Sequence, residues 1–103
     1  MQIQINGDFT RSDALEQHIT DEVTRRLSHH ENQITRVEVH LGDVNADKGG
    51  LDKRCTLEVR ISGQPAIAVH DMGDNYYDVV SSTCEKAGRA VSHKLERLHD
   101  KRS

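Results

Sequence analysis

The sequence predicts an α+β fold of order β-α-β-β-β-α: a four-stranded, mainly antiparallel sheet carrying two helices on one face. Three observations predict it. Four short segments alternate apolar and polar residues, the period of a half-buried strand. Two longer segments repeat apolar residues at steps of three and four, the period of an amphipathic helix. The last three strands are joined by connections too short for a crossover helix, so they form an antiparallel meander.

The first strand is Gln2-Ile3-Gln4-Ile5-Asn6, with Ile3 and Ile5 on one face, and Gly7-Asp8 is expected to break it. Ser12 is a favourable N-cap, and Asp13 and Glu16 suit the positive end of a helix dipole. Leu15, Ile19, Val23 and Leu27 then mark one face of the first helix, and His29-His30-Glu31-Asn32 reads as its exit. Val37, Val39 and Leu41 alternate with Arg36, Glu38 and His40 as a second strand. The run Gly42 to Gly50, rich in Gly, Asn and Asp, reads as a long mobile connection.

Cys55, Leu57, Val59 and Ile61 form the third strand, and Ser62-Gly63-Gln64-Pro65 is a turn. Ala66 to His70 is the fourth strand, pairing back as a hairpin. Asp71-Met72-Gly73-Asp74-Asn75 reads as a break with N-cap candidates. A long helix follows from about Asn75 to about Leu98 or beyond. Its expected apolar stripe is Tyr77, Val80, Cys84, Ala87, Val91, Leu95 and Leu98. Gly88 inside it costs about 1 kcal/mol relative to Ala, which suggests a need for close packing there. Helices on one face of the sheet bury every stripe and leave the other face to water.

At 103 residues the chain fits one domain, 1–103. Aromatics make up 3% of it, so the core must be aliphatic. No stretch approaches the ~18 apolar residues of a membrane helix, and the first residues lack the pattern of a signal peptide. Two cysteines, Cys55 and Cys84, give neither a disulfide framework nor a paired metal motif. A reducing, cytoplasmic setting is expected.

The formal net charge is −3, unlike the basic surplus of most RNA binders. Charge is nonetheless local. From Glu85 onward the bases Lys86, Arg89, Lys94, Arg97, Lys101 and Arg102 outnumber the acids Glu85, Glu96 and Asp100. At ~100° per residue, Lys86, His93 and Arg97 fall within about 40° of one another, with Arg89 about 40° beyond and the two glutamates further round. Such an arc suits a phosphate backbone, where each neutralised phosphate releases a counterion. It equally suits a solvated face with ordinary charge pairs.

The element order and several strings resemble the ribosome hibernation-promoting factors, also called the ribosome-associated inhibitor or sigma-54 modulation family. Met1-Gln2-Ile3-Gln4-Ile5 resembles the family's opening strand. Ser12-Asp13-Ala14-Leu15 is similar to its Thr-Glu-Ala-Leu helix start, and Asn75-Tyr76-Tyr77-Asp78-Val79-Val80 to its Asp-x-Tyr-Ala-Ala-Ile element. Ala87-Gly88-Arg89-Ala90-Val91 resembles its second helix. Lys48-Gly49-Gly50-Leu51-Asp52-Lys53-Arg54-Cys55 looks like a divergent branch, and the length resembles the short form.

The resemblance implies a fold laid out like a double-stranded-RNA-binding domain, and a factor that occupies the small ribosomal subunit and represses translation in stressed or resting cells. Its partner would be 16S ribosomal RNA in the channel used by mRNA and tRNA. No enzyme activity, cofactor, metal, membrane or small-molecule substrate is implied. The family's basic second-helix positions match Lys86, Arg89 and Arg97, with His93 where a lysine is common, and Arg25 matches one on the first helix. Arg26 and Lys101 complete the expected RNA-contacting set. Asp21 and Glu22 depart from the family by putting acid on the first helix. The alternative is a protein-interaction module that kept the fold and lost the ribosome.

The remaining residues have plainer readings. Tyr77, on the apolar stripe, is expected in the core rather than as a base-stacking platform. Cys55 and Cys84 are expected to pack as small hydrophobes. His29-His30 are expected as exposed loop histidines. Gly49-Gly50 lacks the pattern of a phosphate loop.

Overall fold

The computed structural model describes residues 1–44 and 52–102, and the side chains of the last helix as far as residue 99. Most of the expected mobile connection, and with it the Lys48–Leu51 part of the family-like string, lies outside the described residues. The elements are β1 (Gln2–Asp8), α1 (Asp13–Leu27), a 3₁₀ turn (Ser28–His30), β2 (Ile34–Asp43), β3 (Lys53–Ile61), β4 (Ile67–Gly73) and α2 (Tyr76–Arg102). The sheet order is β1-β2-β3-β4. β1 runs parallel to β2 across the α1 crossover, and β2, β3 and β4 form the antiparallel meander.

One sheet face carries Val37, Val39, Leu41, Cys55, Leu57, Val59 and Ile61, all buried beneath the two helices. The opposite face is wet. There the Arg60 guanidinium bridges Glu58 at 2.6 Å and Glu38 of β2 at 3.3 Å. Both helices start where a side chain satisfies an orphan N–H. Ser12 Oγ accepts from Leu15 N at 3.1 Å, and Asn75 Oδ1 accepts from Asp78 N at 2.9 Å.

Two expected breaks are continuous strand. β1 passes through Gly7, which adopts φ 126°. A Cβ there would lie 1.9 Å from the Leu41 carbonyl oxygen, so only glycine lets the parallel pair continue to Asp8. β4 runs on through Asp71 and Met72 because β3 is long enough to pair them with Cys55 and Arg54.

The stripe of α2 also shifts. Val79, Val80, Thr83, Cys84, Ala87 and Val91 are buried, and Leu95 is only partly so. Tyr77 is 44% exposed, which corrects its assignment to the core. It sits at the flank of the buried arc, toward α1, where its ring meets His18 at 5.1 Å between centroids.

The cysteines do pack as hydrophobes. Burial pushes the Cys55 thiol up to about 11 and the Cys84 thiol up to about 12, so neither forms the reactive thiolate near neutral pH.

The two glycines predict opposite responses. Gly7→Ala should cost about 2 kcal/mol or more, because backbone must move. At Gly88 a Cβ would stand 3.4 Å from the Arg26 carbonyl oxygen, at the edge of ordinary contact. Gly88→Ala should therefore stay within about 1 kcal/mol of wild type, while Gly88→Leu should lose about 1–3 kcal/mol. Urea unfolding of the three variants measures this.

Candidate nucleic-acid interface

α1 and α2 lie side by side and run in the same direction. His18 meets Tyr77 and Ser81, the Arg26 backbone meets Gly88, and His30 meets Ser92. Gly88 and Ser92, small residues four apart, let the helices approach. Their seam opens toward its C-terminal half into a groove of about 560 Å3.

The groove gathers basic side chains from both helices. Arg25 and Arg26 come from α1, and Arg89 and His93 from α2, with His29 at the end of the first helix. Glu85 and Glu96 line the same groove. This corrects the angular reading that set them apart from the basic arc. Relative angles on α2 were right, but α1 packs on the flank bearing Gly88 and Ser92, so the groove centres on the glutamates' side.

Each cation has its own setting. Arg89 reaches Glu85 at 2.6 Å and stays exposed. Arg26 is half-buried, and among the described residues nothing pairs with its buried Nε. Arg25 grips Glu22, its Nε 2.9 Å from Oε2, while its side chain remains 64% exposed.

Glu22, one of the two acids by which the first helix departs from the family, does not lie on the surface. Its side chain is 7% exposed, turned inward under α2. Burial pushes its carboxyl pKa up, but the polar Ser81 side chain and the Arg25 guanidinium outweigh that, and the net value lies below the ordinary 4.5. The acid is thus spent on positioning Arg25. The helix that covers it is distant in sequence, so no local pattern revealed its burial.

Lys86 and Arg97 lie outside the groove. Lys86 turns toward β4, where its Nζ donates to the His70 carbonyl at 3.3 Å and sits 3.5 Å from Asp71. There it covers the free edge of the sheet. Arg97 is exposed on α2. The side chain of Lys101 lies outside the described residues. Among the described residues, no three His, Cys, Asp or Glu could share a metal ion, and no helix is long and apolar enough to cross a membrane.

A protein-family model described as "Sigma 54 modulation protein / S30EA ribosomal protein" matches residues 3–99. The chain belongs to this family. No curated protein matches it in sequence. Solved structures do match in fold. A ribosomal subunit interface protein from Coxiella burnetii superposes with TM-score 0.79 at 21% identity, covering 93% of this chain and 99% of the other. The N-terminal domain of Thermus thermophilus Protein Y superposes with TM-score 0.72 at 16% identity, covering 90% and 98%. In this member of the sigma 54 modulation/S30EA family, arginines and glutamates share one groove along the seam.

The Glu22 pair predicts a pH-dependent stability. A carboxyl with a depressed folded pKa contributes fully above its unfolded value and progressively less as pH falls through the folded one. Wild type should therefore exceed Glu22→Gln in unfolding free energy at neutral pH. The gap should close as pH falls below about 4. Denaturant titrations of both proteins across that range test it.

Proposed function

We propose that this chain is a ribosome-associated factor that represses translation by laying the α1–α2 seam against phosphates of 16S ribosomal RNA in the decoding region of the small subunit. Its setting is the cytoplasm, and the mechanism is steric and electrostatic. The observation that carries the proposal is the convergence of Arg25, Arg26 and Arg89 from two helices in one groove. Family membership supports it, as does the name of the Coxiella burnetii structural match, a ribosomal subunit interface protein. Arginine forks suit phosphate oxygens bidentately. A shallow, wide groove suits a rigid RNA backbone better than an enclosed small molecule.

His93 is a further contact in this groove, Arg97 extends the surface along α2, and Lys101 is retained as a contact by its position on the same helix. Lys86, committed to the edge of β4, contributes less. A protein-interaction module on the same fold is the second reading, favoured by Glu85 and Glu96 inside the groove and by the net charge of −3.

Co-sedimentation with small ribosomal subunits across a salt series separates the two. Phosphate contacts predict binding that weakens steeply with salt, and Arg26→Gln and Arg89→Gln should each flatten the log–log slope by about 0.7–0.9. Lys86→Ala should change it less than either. Binding insensitive to salt, or none by the folded protein, would favour the second reading.

A further inference from the structure

The groove does not end at His93. Beyond it, at the C-terminal end of the seam, lies a second hollow of about 620 Å3. It shares His29, Ser92 and Glu96 with the groove and adds His30, Gln33 and His99. His29 and His30 stack at 5.1 Å between ring centroids. The His30 Nε2 is held 3.2 Å from Ser92 Oγ across the seam. These two histidines, read from the sequence as ordinary loop residues, are drawn into one cluster with His99 of α2.

We infer that this hollow is a second phosphate-binding subsite, continuous with the arginine groove, which takes an RNA phosphate when its imidazoles carry protons. The inference rests on the proposed RNA-binding role of the seam. Its basis is the sign of the local charge. With neutral imidazoles, Glu96 is the only formal charge among the described side chains lining the hollow, so it repels phosphate. Protonation of His29, His30 and His99 reverses that sign. Imidazole is the side chain whose charge ordinarily changes between about pH 5 and pH 8.

Charged and polar groups surround the hollow on several elements. α1 contributes Arg25 and Arg26 through the adjoining groove, where α2 supplies Glu85, Arg89 and His93. The turn after β3 contributes Ser62 and Gln64 on the far side of His99, with no charge. A protonated imidazole gives phosphate a charge-assisted hydrogen bond, and each added contact steepens the salt dependence.

The test is binding of a fluorescently labelled short oligouridylate, and in parallel of small ribosomal subunits, between about pH 8 and pH 6. The oligouridylate affinity of wild type should rise about tenfold as pH falls, with a salt slope steeper by about 0.7 for each new contact. A His29→Gln/His30→Gln/His99→Gln variant should lose most of that rise. The double variant His29→Gln/His99→Gln, limited to exposed side chains, should lose part of it and guards against misfolding. His40→Gln/His70→Gln removes two histidines from the opposite sheet face, at positions both facing Thr56, and should keep the rise. A flat wild-type profile, or equal loss in the sheet-face variant, would overturn the subsite. If oligouridylate behaves as expected but the small subunit never binds, the subsite stands and the ribosomal reading falls.

Discussion

Gly88 faces the backbone of Arg26 with no side chain between them, and the position of α1 against α2 depends on that approach. It decides which flank of α2 is covered and which is free. A bulkier residue would lift α1 and spread Arg25 and Arg26 away from Arg89. The approach requires a small residue at position 88, and glycine or alanine meets it. Two polar pairs across the seam, His18 with Ser81 and His30 with Ser92, keep the register of two helices running in the same direction.

Parallel helices have an electrostatic consequence. Both N-termini lie at one end of the layer and both C-termini at the other, so their dipoles add rather than cancel. Acids such as Asp13, Glu16 and Asp78 occupy the first turns, and Arg25 and Arg26 the last turn of α1. The chain can thus carry a net charge of −3 and still present a basic end. The surface is mixed rather than uniformly positive, because Glu85 and Glu96 sit within it. Such a surface holds phosphate through placed guanidinium groups more than through bulk charge.

The sheet supplies rigidity with little aromatic mass. β-branched side chains fill its inner face, and Phe9 and Tyr76 close the end at which β1, β2 and β4 finish. Phe9 packs on Tyr76 at 5.7 Å between centroids, with Arg11 over Phe9 and Lys53 over Tyr76. Lys86 guards the β4 edge from α2, an arrangement that also removes it from the seam. Two cations one turn apart, Lys86 and Arg89, thereby have different tasks.

Period and punctuation made the architecture legible. Alternation at Val37–Leu41 and Cys55–Ile61, steps of four from Leu15 to Leu27, and the caps Ser12 and Asn75 are local properties, and they determined six elements and their order. Gly7 and Asp71–Gly73 misled because pairing across strands, not local preference, decides where a strand ends. The cation-rich helix ends were equally visible in the sequence, and so was the family. What tertiary structure alone decided is which side chains meet. Helical periodicity fixes angles within α2, but not the flank on which α1 packs. That choice turned Glu22 inward and Tyr77 outward, put Glu85 and Glu96 among the arginines, and drew His29, His30 and His99 together. Each depends on contacts between residues about sixty or more positions apart, which no window along the chain can contain.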